Sequence, residues 1–222
     1  MRKNDLTFRK SQQCGFSAVE LLLVVAISII LVGIGIPVYV TVTSSMRAAG
    51  DLRNLAGVTA QAKMRAAADF THARVYANLN GGSFQLQIWK KAGSGCWVAD
   101  ADTTSTCLTY SSGAPSGSVT SLSQGDTFGY GTLTAGPTPG QTTIGQAGNC
   151  LDNSGATLAN TACIVFNSRG IPVNATTLAP VATGALYLTN GTVVDGVTMS
   201  ATGSFQTWSK NINASNSNWI AQ

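Results

Sequence analysis

The sequence is poor in the side chains that carry acid-base chemistry. Among 222 residues there is one histidine, His72, and only nine aspartates and glutamates. The chain contains no H-E-x-x-H, G-x-S-x-G or G-x-x-x-x-G-K-[ST] motif, so no catalytic constellation is recognisable. We therefore predict that the protein is not an enzyme and that it uses no cofactor.

Metal ligands at suitable spacings are also missing. The chain has no C-x-x-C pair, and His72 lies far from the nearest cysteine, which argues against a zinc site. Asp100 and Asp102 form a D-x-D pair, but the glutamate that closes a calcium-binding loop is absent at the twelfth position. We expect no metal centre.

Charge is scarce and unevenly distributed. Only 10% of the residues are charged, and the formal net charge is +4. The first fifteen residues carry +3 of it, which leaves +1 for the rest and gives no strong signal for nucleic-acid binding. The charged residues of that segment are Arg2, Lys3, Asp5, Arg9 and Lys10.

A long apolar run follows this basic leader. From Phe16 to Tyr39 nearly every residue is apolar, and as a helix the run would cover roughly 36 Å, enough to span a bilayer. The preceding Lys and Arg residues would hold the N-terminus in the cytoplasm. A secretory signal has a shorter apolar core, of about 7 to 15 residues, and a small-residue cleavage site after it. The only plausible junction here, between Gly15 and Phe16, precedes the run.

The stretch "KSQQCGFSAVELLLVVAISIILVGIGIPVYV" resembles the class III signal of type IV prepilins and pseudopilins. In that family a prepilin peptidase cuts after the glycine and methylates the new N-terminal amine, and the apolar helix stays on the mature protein. The resemblance implies cleavage between Gly15 and Phe16 and N-methylation of Phe16. It also makes Glu20 the family's glutamate at the fifth mature position.

Glu20 has two possible roles. Ser17 and Glu20 form the pattern S-x-x-E, a capping box in which the glutamate contacts the Ser17 backbone N–H. Alternatively, because a carboxylate within lipid is costly, it pairs with the positive amine of Phe16 in the same chain or in a neighbouring subunit. We expect the second role to operate in filament assembly.

Gly33, Gly35 and Pro37 lie together near the outer end of the apolar run. Proline removes a helical N–H, and glycine weakens a helix by about 1 kcal/mol relative to alanine. These three residues predict a helix break, for which a simple kink is one interpretation, and the resemblance to pilins implies the other, a segment that loosens when subunits pack into a filament.

Beyond Tyr39 the pattern becomes amphipathic. Apolar residues recur every three to four positions, which predicts that the helix continues over residues 40–80, to about Tyr76, and that its apolar stripe packs on a sheet. "NLNGG" at 78–82 should end the helix. The expected stripe is Leu52, Leu55, Val58 or Thr59, Ala62, Ala66 and Phe70.

The remaining chain, residues 81–222, has the composition of a turn-rich β domain. Alternation in "SFQLQIWKK" predicts a half-buried strand, Asn190 and Gly191 predict a hairpin turn, and residues 134–160 are interpreted as a long loop. The fold class is therefore predicted as α+β, a long helix followed by a sandwich-like antiparallel β domain. Further strands are expected at 118–123, 127–133, 162–166, 185–188, 192–194, 197–201 and 203–208.

Five cysteines become an even set of four once Cys14 is assigned to the N-terminal junction. The four allow three connectivities. Pairing of sequence neighbours is favoured because each pair brackets a loop rich in Gly, Ser, Thr and Asn, and free buried thiols are the alternative. We predict disulfides between Cys96 and Cys107 and between Cys150 and Cys163, formed in an oxidising compartment.

Three later stretches, "ARVYANLNGGSFQLQIW", "CIVFNSRGIPV" and "ALYLTNGTVVDGVTMSATGSFQTWSK", look like the type II secretion pseudopilin H and FimT/FimU group of minor pilins. The resemblance implies a cleaved leader at 1–15, a transmembrane and filament-core helix at 16–39, and a periplasmic domain. It implies an inner-membrane protein, with its N-terminus in the cytoplasm, that joins a pilus or pseudopilus. Expected partners are a prepilin peptidase, other major and minor pilins, the membrane assembly platform and inner-membrane lipid.

Two functions follow from this resemblance. The first is a minor pilin or pseudopilin that primes or caps a filament. The alternative is a binding module displayed at the filament tip for adhesion or DNA uptake, for which Trp89, Lys90 and Lys91 are the nearest aromatic-basic patch.

Overall fold

The computed structural model describes residues 17–91, 95–100, 106–111, 113–181, 183–213 and 218–222. The chain divides into two units, residues 1–42 and 43–222. One helix, α1 (Ala18–Ala68), contributes residues to both units. The described residues after α1 form antiparallel sheets, so the predicted α+β class is confirmed.

Two larger sheets and one short hairpin make up the β part of the described residues. The strands are β1 (Ala73–Asn78), β2 (Ser83–Lys90), β3 (Cys96–Ala99), β4 (Tyr110–Ser111), β5 (Ala114–Pro115), β6 (Thr120–Ser121), β7 (Thr127–Phe128), β8 (Thr161–Phe166), β9 (Pro172–Val173), β10 (Thr183–Thr189), β11 (Val193–Ser200), β12 (Phe205–Asn211) and β13 (Ile220–Ala221). The first sheet has the order β3-β2-β1-β8-β9, with β6 also paired to β2, and the second has the order β13-β12-β11-β10-β7. Strands β4 and β5 form the hairpin.

The main hydrophobic core lies between the second part of α1 and both larger sheets. Leu52, Leu55 and Ala62 are at most 1% exposed, as the predicted apolar stripe requires. They belong to one cluster with Phe84 of β2 and Leu186 of β10. Burying a leucine side chain contributes about 1.5 to 3 kcal/mol, so this stripe holds the helix on the sheets.

The helix ends earlier than the sequence predicts. It stops at Ala68, where Thr71 N–H donates to the Ala66 carbonyl and Phe70 N–H to the Ala67 carbonyl, the two bonds of a Schellman cap. Phe70 takes the left-handed position, with φ of 48°, that glycine usually fills. Its side chain is 73% exposed, so the prediction that Phe70 completes the buried stripe is wrong.

Residues 73–78 are a strand and not the last turns of the helix. All six residues of β1 are buried, because β1 lies between β2 and β8 in the first sheet and both of its faces are covered. A strand buried on both faces loses the alternation that identifies strands in sequence. The interpretation of 40–80 as helix is therefore corrected to a helix that ends at Ala68, followed by β1.

The other predicted strands are found with altered lengths. Strands β2, β8 and β10 lie at their predicted positions with shifted ends, the prediction at 203–208 overlaps β12, and those at 192–194 and 197–201 both overlap the single strand β11. The predicted strands at 118–123 and 127–133 are reduced to the two-residue β6 and β7. In the predicted hairpin turn, Asn190 Oδ1 accepts hydrogen bonds from the N–H groups of Thr192 and Val193, and Gly191 has φ of 82°.

Both predicted cysteine pairs are present. Cys96 of β3 pairs with Cys107, and Cys150 pairs with Cys163 of β8, with Cα atoms 5.6 and 5.1 Å apart. The second pair ties the long loop at 134–160 to the first sheet. As predicted, none of β1–β13 lies within this loop. It is also held to β8 by the Cys163 N–H, which donates to the Gly148 carbonyl.

Candidate functional site

The first unit presents an apolar surface on every side of its helix. From Val19 to Val42 the large apolar side chains are between 44% and 73% exposed. The consecutive residues Leu21, Leu22 and Leu23 point in different directions around the helix, and all are exposed. We call residues 19–42 the apolar segment. A helix that is apolar all round belongs inside a protein core or a bilayer, and α1 is the one described helix long and apolar enough to cross a membrane.

The start of α1 is capped by Ser17. Its Oγ accepts a hydrogen bond from the Val19 N–H at 3.3 Å, and its carbonyl accepts from Leu21 N–H at 3.1 Å. Glu20, in the first turn, is exposed, and its carboxylate has no hydrogen bond or ion pair with any other described residue. Gly15 and Phe16 lie outside the described residues. Within those residues Ser17 is therefore an ordinary N-cap that accepts from the second helical residue, and the Glu20 half of the predicted capping box is not seen.

Helix α1 continues without interruption through Gly33, Gly35 and Pro37, where a kink or a segment that loosens on packing stays a prediction. Gly33 lies four residues before Pro37, so the carbonyl that loses its helical N–H partner belongs to a residue without a side chain. A Cβ added at Gly33 or Gly35 would meet no atom within 4 Å. The three residues therefore lower the stability of the helix locally without interrupting it in this conformation.

A buried polar network, which sequence reasoning missed, covers the face of the first sheet that points away from α1. At its centre is Arg74 of β1, only 1% exposed. Its Nε donates to Gln87 Oε1 at 2.8 Å, its Nη1 to the Leu151 carbonyl at 2.6 Å, and its Nη2 to the Tyr110 hydroxyl at 2.6 Å. The Tyr110 hydroxyl in turn donates to Gln87 Oε1 at 3.1 Å.

Arg74 is a buried cation with no carboxylate in salt-bridge contact among the described residues. Its guanidinium carbon lies 3.9 Å above the Trp97 ring. Burial lowers the pKa of Arg74 to about 10, so it stays protonated at physiological pH. Burial and the charge interaction with Tyr110 raise the pKa of Tyr76 to about 12, although the charge of Arg74 opposes the shift. The network is thus one cation held by neutral acceptors and aromatic rings.

The predicted aromatic-basic patch is not a row of freely exposed groups. Trp89 is half-buried and packs edge-on against Trp97, with ring centroids 5.2 Å apart. Lys91 donates to the Phe70 carbonyl, and Lys90 is also half-buried. His72 lies between α1 and β1, half-buried, where burial and then the charge of Lys91 lower its pKa.

A second cluster missed by sequence reasoning joins α1 to the turn before β7. Asp51 of α1 accepts hydrogen bonds from the N–H of Ser123 at 2.6 Å and from its hydroxyl at 3.1 Å. Asp126 is 7% exposed, and its Oδ2 has no hydrogen-bond partner among the described residues. Burial, and after it the interaction with the Asp51 carboxyl and the charge of Asp195, raise the pKa of Asp126 to about 6, although Arg47 opposes the shift.

Because the pKa of Asp126 is raised, we expect the free energy of unfolding to fall as the pH rises through about 6. An unfolded aspartate titrates near 3.8, so the folded state binds the extra proton, and its benefit is complete below that value and lost above about 6. Asp126→Asn cannot ionise but can still donate to Asp51. We expect the variant to lose much of this pH dependence and to be more stable than wild type at pH 8, as measured by denaturant unfolding at several pH values.

Asp152→Asn is the matched control. Hydrogen bonds from Ser154 and Ala156 lower the pKa of Asp152. Replacing its carboxylate should therefore leave the fall in stability between the unfolded value of 3.8 and about 6 in place. Asp195, whose pKa is raised by burial, retains part of the dependence in either variant. A wild-type pH profile in Asp126→Asn would contradict the assignment of this pH dependence to Asp126.

Within the described residues, no group of three or more His, Cys, Asp or Glu side chains is arranged to hold a metal ion. Comparison with models of known families, with curated proteins and with solved structures gave no match.

Proposed function

We propose that this protein is a minor type IV pilin or type II secretion pseudopilin that primes or caps a filament by packing its helix into the filament core. The observation that carries the proposal is the apolar segment, which exposes apolar side chains on all sides and contains one available carboxylate, Glu20, in its first turn. Such a surface requires either lipid or other helices around it. A filament core built from identical segments supplies the second environment after the bilayer has supplied the first.

The residues before the helix support the same proposal. A basic leader, a Gly15–Phe16 junction and a glutamate four residues further match the processing signal of the family. On this proposal the protein starts in the bacterial inner membrane with a periplasmic, sandwich-like β domain, and it is processed by a prepilin peptidase. Its later partners are the assembly platform and the other pilins, and the two disulfides suit an oxidising periplasm.

The first test is the mass of the mature N-terminus. We expect the protein purified from its native membrane to begin at Phe16, with one methyl group on the amine, as read by mass spectrometry of the N-terminal peptide. Gly15→Leu should retain the leader, because a branched side chain beside the cut bond blocks the close approach that glycine allows.

Two results would contradict the proposal. One is an intact leader in cells where the protein is functional. The other is cleavage after the apolar segment, which would make the segment a secretory signal and remove the helix from the mature protein.

A further inference from the structure

A cavity opens at the end of the polar face of the first sheet, within the second unit. Its volume is about 250 Å³, below the roughly 300 Å³ at which drug-sized pockets begin, so it suits a small molecule. The residues that matter for its chemistry are His72, Arg74, Trp89, Trp97, Asp152 and Leu178.

Its aromatic walls are fixed in place. Trp89 and Trp97 meet edge to face, and the other side of Trp97 is covered by the Arg74 guanidinium. Gly95 has φ of 77°, and a Cβ at this position would lie 2.7 Å from the Trp89 ring. The Trp89 indole therefore occupies space that only glycine leaves open, so the wall is preorganised.

An apolar side chain is held at the rim at a conformational cost. Leu178 is 50% exposed and has φ of 54°, a conformation that a leucine rarely adopts. The turn that imposes it is held at Asn174, whose carbonyl accepts from Leu178 N–H and whose Oδ1 accepts from Thr176 and Thr177 N–H. Strain that keeps an apolar side chain in solvent is typical of sites that contact a ligand.

Two opposite charges line the cavity without pairing to each other. Arg74 has five N–H groups, of which three are bonded to protein, leaving two without a partner among the described residues. Asp152 accepts from Ser154 and Ala156 through Oδ1 alone, so Oδ2 is left for a ligand. Those bonds lower its pKa and keep it ionised, whereas His72, with a lowered pKa, adds no second cation at neutral pH.

We propose that this cavity binds a small zwitterion with an apolar body, the chemistry of a hydrophobic α-amino acid. The ligand carboxylate pairs with the free N–H groups of Arg74, and its ammonium pairs with Oδ2 of Asp152. Its apolar side chain lies between Trp89 and Leu178. Ligand binding at this site does not require filament assembly, so it can be tested independently of the function proposed above.

Calorimetric titration of the full-length protein in detergent tests this site. L-phenylalanine is expected to bind with Kd on the order of 10⁻⁴ M, given its few heavy atoms. N-acetyl-L-phenylalanine lacks the ammonium and L-phenylalanine amide lacks the carboxylate. Each should bind about tenfold more weakly or worse, since each loses a hydrogen-bonded charge pair.

The variants separate the site from the fold. Asp152→Asn keeps the local acceptor Oδ1 and should weaken L-phenylalanine binding about tenfold, while N-acetyl-L-phenylalanine should lose nothing further. Asp69→Asn, the same charge change on the exposed end of α1, should bind like wild type. Absence of saturable L-phenylalanine binding, equal binding of the three compounds, or unchanged affinity in Asp152→Asn would each overturn the proposal.

Discussion

Replacing Arg74 with methionine is expected to destabilise the protein by about 3 kcal/mol or more, although it removes a buried charge. A buried ion pair can often be exchanged for apolar residues without loss. Arg74 differs because its three partners are the Gln87 amide, the Tyr110 hydroxyl and the Leu151 carbonyl, which stay behind. Methionine fills a similar volume but donates no hydrogen bond, so the half-buried Leu151 carbonyl and the buried Gln87 amide both lose a donor.

Two companion variants make this measurement specific. Arg74→Lys keeps the charge but replaces a planar fork with a single ammonium, so it should recover only part of the loss. Arg53→Met removes an exposed cation from α1 and should change stability by less than about 0.5 kcal/mol. The measurement is denaturant unfolding followed by tryptophan fluorescence, which is sensitive to the Arg74 network because Trp97 stacks on Arg74. Equal stability of Arg74→Met and Arg53→Met would show that the network is dispensable.

The structural features that were predicted correctly from the sequence are those determined by residues close together in the chain. The stripe of Leu52, Leu55 and Ala62 repeats at helical spacing, and the alternation of β2 has period two. The cysteines are neighbours in sequence that bracket polar loops, and the Asn190–Gly191 turn is read from two adjacent residues. In each case the residues that decide the structure lie within about a dozen positions of one another, so tertiary context was not needed.

The end of α1 shows where local patterns fail. The apolar residues of β1 continue the helical spacing by coincidence, and the left-handed cap is a phenylalanine where glycine or asparagine would have been a signal. Phe70 is also 73% exposed, so the assumption that an apolar residue at helical spacing is buried fails at this position. Only the pairing of β1 with β2 and β8 explains why the chain leaves the helix at Ala68.

Neither polar cluster could be predicted, because its members are distant in sequence. Asp51 and Asp126 are joined only when α1 packs beside the turn before β7, and Arg74 meets Leu151 only through the Cys150–Cys163 link. The one available signal was Arg74, the second residue of the mainly apolar stretch "ARVYAN". A cation among buried residues predicts acceptors nearby but does not name them.

The proposed assembly role of Glu20 gives the largest functional prediction. Glu20→Ala should be cleaved after Gly15 and methylated normally, because the junction is unchanged. Its incorporation into filaments should fall by about tenfold or more, since an amine left unpaired in an apolar core costs several kcal/mol and 1.4 kcal/mol is already a factor of ten. The measurement is the ratio of the variant in sheared filaments to that in the inner membrane.

Glu20→Gln distinguishes the charge from the helix cap. Glutamine can replace glutamate in a capping box with Ser17, so Glu20→Gln preserves any contribution of residue 20 to capping the start of α1. It cannot pair with a positive amine. If the carboxylate acts through the amine of Phe16, Glu20→Gln must assemble as poorly as Glu20→Ala, whereas recovery of filaments with glutamine would assign Glu20 to capping. Ser17→Ala, which removes the observed cap and keeps the charge, should assemble better than either.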